Sequence, residues 1–201
     1  MAAEGTLTPG EYIRHHLVHL TNVKQKSIVD FSVINIDSVV VSSVLGLFTA
    51  IRRLRSTYAR IADRLARDGL PLFAQHVDPI DTGTLVDIFR DDPHASLLGT
   101  DALRDGVDVP GHSLRLVIME QIPWPRPDIL HRARRLKHGG MEYDDRIIRA
   151  KMAQAFGRLI RSAGDKGHFV LLSSAVPSRL LSAFPPGTPI RRVTLEEAVH
   201  S

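Results

Sequence analysis

Apolar bursts alternate with amphipathic segments from about residue 47 onward. This alternation is typical of βαβ units around a parallel sheet. Short apolar runs that end at turn residues predict five strands, at residues 44–49, 72–76, 95–99, 114–119 and 169–173. The pattern therefore predicts an α/β fold, a parallel sheet flanked by helices.

Three helices are predicted between these strands from apolar residues spaced three and four positions apart. The first ends at Gly69, and the second begins near residue 81 and stops before Pro93. The third runs over residues 143–163 and is closed by Gly164. At 100° per residue, one face of this third helix is apolar and consists of Ile148, Met152, Ala155 and Leu159. Its other face presents Gln154, Gly157, Arg158 and Arg161.

The amino-terminal part of the chain follows a different pattern. Residues 11–20 predict a short helix, and residues 28–41 have strand-forming or membrane-edge character. The longest uncharged run, residues 38–51, is shorter than the roughly 20 residues that span a bilayer. We therefore expect a soluble, cytoplasmic chain whose first part does not obviously belong with the rest.

Composition excludes several classes of protein. The absence of cysteine excludes a disulfide scaffold, thiolate zinc and cysteine catalysis. His15 and His19 have the spacing of a metal pair but no third ligand, so no metal site is predicted.

Residues 126–161 hold ten basic and four acidic side chains, a net charge of +6, so any polyanion should bind to this part.

The arginine face of the third helix is the strongest candidate for chemistry. Two arginines three positions apart can grip a phosphate and stabilise the charge that develops during phosphoryl transfer. The alternative is a solvated basic face with structural ion pairs. The segment Gln154-Ala-Phe-Gly157-Arg158-Leu-Ile-Arg161 resembles motif VI of the DinG and XPD-type helicases of superfamily two. The resemblance implies that Arg158 and Arg161 act as arginine fingers, together with Gln154.

Further segments resemble other motifs of the same family. Residues 97–111, which contain Thr100, Gly106 and Asp108, resemble motif V, with Asp105 in place of the usual glutamate. The alternative for this segment is an acidic loop capped by its own aspartates. Residues 47–50 resemble motif IV, in which a small hydroxyl such as that of Thr49 meets the nucleic-acid backbone.

The stiff proline loop around Trp124 also resembles the family. Its indole could stack on a base, or it could be a packing residue. The resemblance covers residues 47–201 and implies the second RecA-like motor domain of an ATP-dependent DNA helicase, with a role in DNA repair. It implies that Gly106, Asp108 and Gly157 contact the bound nucleotide. It also implies that Thr49, Thr100 and Trp124 contact single-stranded DNA.

The chain contains neither a G-x-x-x-x-G-K-[ST] loop nor a D-E-x-H motif. In this family a first RecA-like domain holds ATP and Mg²⁺. We therefore expect that domain to be the partner of this chain, and the chain alone to be inactive as an ATPase. The alternative hypothesis is that the same domain is a non-catalytic module that binds nucleic acid or protein.

Residues 1–46 resemble the start of subunit a of bacterial rotary ATP synthases, on the segments Thr6–Leu17 and Asn35–Ser38. Arg52 and Arg53 interrupt the apolar run that would form the first membrane helix of that subunit. The hypothesis that the chain is a membrane-associated fragment of ATP synthase is therefore the weakest of the three. The two resemblances together predict a chimera of two parts, residues 1–46 and 47–201.

Overall fold

The computed structural model describes residues 16–21, 43–100, 103, 114–159, 167–173 and 175–194. Within these residues seven strands form one sheet, in the order β3-β4-β2-β5-β6-β1-β7, and every strand pair is parallel. The strands are β1 (His16–Thr21), β2 (Ser43–Leu47), β3 (Leu72–Ala74), β4 (Ser96–Gly99), β5 (Leu114–Met119), β6 (Gly167–Leu172) and β7 (Ile190–Val193).

Helices cover both faces of this sheet. They are α1 (Ile51–Arg67), α2 (Thr82–Asp91), α3 (Ile129–Lys137) and α4 (Met141–Gly157), with a 3₁₀ helix at Ser178–Ala183. Leu54 of α1 packs with Phe48, Ala74 and Leu98 on one face. Leu85 of α2 and Ile148 of α4 belong to the larger apolar cluster on the other face. Both faces of the parallel strands are therefore buried, as expected for an α/β fold.

The larger cluster contains three phenylalanine rings in edge-to-face contact. Phe156, Phe169 and Phe184 have ring centroids 5.3 to 6.0 Å apart. Each ring is almost completely buried. They join α4, β6 and the segment after the 3₁₀ helix, so Phe184 is fixed to the sheet by aromatic packing.

The five predicted strands are confirmed, one with unchanged boundaries and the other four with boundaries shifted by at most two residues. The prediction of a helix over residues 11–20 is wrong for residues 16–20, which form β1. Strand pairing determines the conformation of this segment, because β1 lies between β6 and β7 and its backbone pairs with both. The amino-terminal part thus supplies a strand to the sheet, while residues 28–41 lie outside the described residues. The division at residue 46 stays a prediction.

Two helices differ from the prediction. Helix α3 was not predicted, because its apolar residues face outward and leave no stripe that points to the core. Helix α4 ends at Gly157, not at residue 163. Arg158 and Leu159 donate backbone hydrogen bonds to the carbonyls three residues before them, at 3.3 and 3.0 Å. This tightening of the last turn follows a glycine, which is a weak helix former.

Candidate nucleic-acid and nucleotide-facing site

A row of polar side chains follows the carboxyl ends of four adjacent strands. His76 comes after β3, Thr100 after β4, Thr49 after β2 and Gln121 after β5. We call these four residues the carboxyl-edge row. Neighbouring strands are about 4.8 Å apart, so the row extends over about 14 Å.

The middle of the row lies where the chain connections diverge. After β2 the chain passes through α1 to β3 on one side, and after β5 it passes through α3 and α4 to β6 on the other side. In open parallel sheets, ligands bind outside the carboxyl ends of the strands at such a switch point. Thr49 and Gln121 lie at this place in the fold.

Hydrogen bonds connect the two sides of this switch point. The Thr49 hydroxyl donates to Glu120 Oε2 at 3.1 Å and accepts from Gln121 Nε2 at 2.7 Å. Arg53, in the first turn of α1, pairs with the Glu120 carboxylate and donates to Gln121 Oε1 at 2.8 Å. Glu120 is largely buried, while the Arg53 side chain is half exposed. An anion that approaches this cluster therefore meets a cation that is already neutralised by Glu120.

The other half of the row is arranged around Gln75. This residue is buried, and its Oε1 accepts from the backbone N–H and the hydroxyl of Thr100 at 3.0 and 2.9 Å. Its Nε2 donates to the Thr82 hydroxyl at the start of α2, at 3.2 Å. The Gln75 amide therefore fixes Thr100, and the backbone after β4, relative to α2.

The arginine end of α4 lies at the opposite edge of the sheet. Ile148, Met152, Ala155 and Leu159 are all buried, which confirms the predicted core face. Gln154 and Gly157 are exposed and Arg158 is half-buried. A Cβ built on Gly167, the first residue of β6, would lie 2.9 Å from the Leu159 side chain and 3.1 Å from the Arg115 carbonyl at the start of β5. The end of α4 thus packs beside the amino ends of both strands.

The structure does not bring all the sequence-predicted site residues together. Thr49 and Thr100 share the carboxyl edge, whereas Arg158 lies near the amino edge. A six-residue strand is about 20 Å long, so these groups cannot share one small ligand. Trp124 has an exposed fraction of 49% and does not fill the core. The remaining predicted site residues lie outside the described residues: Gly106, Asp108 and Arg161.

Sequence reasoning missed five residues of the carboxyl edge: Arg53, Gln75, His76, Glu120 and Gln121. Glu120 and Gln121 come directly after the predicted strand at residues 114–119, so their position at a strand end was a usable signal. Gln75 and His76 were predicted inside the strand at residues 72–76, whereas β3 ends at Ala74. Strand order supplies the rest, since only the pairing of β2 with β5 brings Thr49 to Glu120. No alternation pattern contains that information.

The residues that the structure describes contain no candidate metal site and no candidate membrane span. No group of three or more His, Asp or Glu side chains there could hold a metal ion. No helix there is long and apolar enough to cross a membrane.

Comparison with known proteins identifies the family. The protein-family model described as the helicase C-terminal domain matches residues 33–185, which is more than half of the chain. The chain belongs to the helicase C-terminal domain family. The ATP-dependent helicase DinG of Mycobacterium tuberculosis is 36% identical over 147 residues, which cover 70% of this chain and 21% of that protein. The 3'-5' exonuclease DinG of Bacillus subtilis is 30% identical over 165 residues, covering 77% and 18%. The chain thus spans about a fifth of the length of these helicase relatives.

Solved structures agree on the fold. An XPD helicase superposes with a TM-score of 0.55 at 17% identity, over 79% of this chain and 31% of that one. The C-terminal domain of the DEAD-box protein Dbp5 gives 0.57 at 16% identity, over 94% and 95%. The RecA-like fold predicted from the sequence is confirmed.

A second, shorter similarity is also present. Subunit a of the ATP synthase of Paracidovorax citrulli is 72% identical over 47 residues, which cover 23% of this chain and 16% of that protein. Both predicted resemblances are therefore borne out, and the second one supports a chimeric origin.

Proposed function

We propose that this helicase C-terminal domain is the second motor domain of a DinG-like ATP-dependent DNA helicase, which binds single-stranded DNA at its carboxyl edge. The observation that carries the proposal is the carboxyl-edge row at the switch point of the sheet. Its hydroxyl, amide and imidazole groups can bind phosphate or sugar oxygens without selecting a base. Trp124, half exposed on the loop after β5, can add stacking on a base.

In this proposal a first RecA-like domain, from another part of the helicase, binds the nucleotide. Helix α4 of this chain then faces that bound nucleotide. Gln154 and Gly157 are exposed and Arg158 is half-buried, so a phosphate held by another domain could reach this end of α4 from outside. Bound ATP with Mg²⁺ supplies the transferable phosphoryl group. The guanidinium of Arg158, with that of Arg161, would stabilise the negative charge that grows on it.

The two edges have separate tasks in this proposal. Because the arginine end of α4 lies near the amino edge of the sheet and the row lies at its carboxyl edge, DNA and the ATP-carrying domain can be bound at the same time in this proposal. The sheet between them is rigid and closely packed. The proposal expects this packed sheet to transmit a displacement at one edge to the other.

The DNA half of the proposal is tested by fluorescence anisotropy of a labelled single-stranded oligonucleotide at several salt concentrations. We expect binding that weakens linearly in log–log salt with a slope that counts the contacted phosphates. Thr100→Val should weaken binding, and the Arg158→Ala/Arg161→Ala double variant should bind like the wild type. Absence of binding at low salt overturns the proposal. Loss of binding in the arginine variant alone favours the second candidate, a DNA-binding module with a basic face and no motor role.

The nucleotide half is tested by ATP hydrolysis. We expect the purified chain alone to hydrolyse ATP no faster than buffer. Its addition to a DinG-type first motor domain, shown beforehand to bind ATP, should raise hydrolysis. The rise should be lost with Arg158→Ala and retained with Arg132→Ala, a control arginine on α3. Rapid turnover by the chain alone, or equal stimulation by Arg158→Ala, contradicts the assignment.

A further inference from the structure

The backbone at His76 adopts a conformation that favours glycine. Its φ is +66°, and within the described residues no other non-glycine residue has a positive φ. His76 is the third residue of a turn in which Val77 N–H donates to the Ala74 carbonyl at 3.2 Å. Turns with positive φ at the third position normally hold glycine there, because a Cβ strains this conformation.

The surroundings of the turn hold His76 in place. Nε and Nη2 of Arg55 both donate to the His76 carbonyl, at 3.1 and 3.0 Å. Asp78 accepts from the Ala74 backbone N–H at 2.6 Å, and buried Gln75 anchors the turn to Thr100. The backbone of His76 is therefore held at a fixed place on the carboxyl edge.

The imidazole gains little from this placement within the chain. The ring is exposed, and its Nε2 is 3.5 Å from the Thr100 hydroxyl, at the long limit of a hydrogen bond. A glycine would relax the turn, so the histidine lowers stability without a strong internal contact in return. Strained residues of this kind cluster at functional sites.

We propose that His76 is a further nucleic-acid contact, on which a base of single-stranded DNA stacks beside Thr100. The inference rests on the proposed function and adds one residue to the DNA site. An exposed ring, a threonine hydroxyl and the exposed guanidinium of Arg55 lie together here. Aromatic rings, histidine included, stack on unpaired bases, and arginine and threonine bind the adjoining phosphate.

The test compares stability with DNA binding for three variants. His76→Gly removes both the ring and the strain, and His76→Asn removes the ring but tolerates the left-handed backbone. His94→Gly changes an exposed histidine just before β4, at the other edge of the sheet, and is the control. Each is measured by thermal unfolding and by anisotropy with a fluorescein-labelled oligothymidine.

We expect His76→Gly to melt at a higher temperature than the wild type and yet bind at least about fivefold more weakly, the lower end of a base-stacking contribution. His76→Asn should melt like the wild type and bind more weakly, and His94→Gly should bind like the wild type. Equal binding by wild type and His76→Gly overturns the role of His76 and leaves the proposed function standing. Absence of binding by all four proteins overturns the proposed function itself.

Discussion

The hydroxyl of Thr49 accepts a hydrogen bond from the side-chain amide of Gln121 at 2.7 Å, across the carboxyl ends of β2 and β5. The same hydroxyl donates to Glu120, which is paired with Arg53. The predicted motif IV hydroxyl is therefore part of an internal network. A phosphate that binds here has to compete with a carboxylate.

This competition predicts that Glu120→Gln binds single-stranded DNA more tightly than the wild type. The substitution removes a negative charge and leaves Arg53 available to a phosphate. We expect affinity to rise by up to about fivefold, the range of a partly exposed ion pair, when measured by anisotropy at low salt. Asp63→Asn, which removes a charge from an exposed part of α1, serves as the control and should change affinity less. Weaker binding by Glu120→Gln would contradict this account.

Gly157→Ala should preserve the fold. A Cβ at Gly157 has no atom within 4 Å, and alanine is the better helix former. We expect the free energy of unfolding in urea to rise by up to about 1 kcal/mol. Gly99→Ala is the matched comparison and should be destabilising, because its Cβ would collide with the Leu103 side chain. A destabilised Gly157→Ala protein would show that the glycine is required by this chain's own packing.

One substitution at two positions tests the assignment of core and surface. Leu45 is fully buried in β2, whereas Leu136 on α3 has an exposed fraction of 87%. Leu45→Ala should lower the free energy of unfolding by about 2–5 kcal/mol. Leu136→Ala should change it by less than about 0.5 kcal/mol. Similar losses at both positions would mean that the apolar face of α3 is covered in solution.

The start of α2 predicts a dependence of stability on pH. Asp81 caps this helix, and its hydrogen bonds from the Thr84 hydroxyl and backbone N–H hold its pKa below the ordinary value. A lowered folded-state pKa gives stability that is present above the unfolded value of about 3.9 and is lost as pH falls through the folded value. The difference in melting temperature between wild type and Asp81→Asn should therefore shrink below about pH 4. A difference that stays constant from pH 7 to pH 3 would refute this.

The sequence by itself determined much of this protein. Five strands, the core face of α4 and the family could be predicted, because strand and helix periodicities are local and the motifs are contiguous. The exposed Gln154 and Gly157 also follow from the 100° step of a helix. These features depend on neighbours within one turn or one strand.

Tertiary structure alone decided the rest. Residues 16–21 became a strand because β6 and β7 offer two edges to pair with, which overrides a local helical pattern. The pairing of β2 with β5 brought Thr49 to Gln121, 72 positions away in the sequence. The two hydrogen bonds from the Arg55 guanidinium to the His76 carbonyl hold His76 in its left-handed backbone conformation. Each of these depends on contacts between distant segments, whose energies are not encoded in any local pattern.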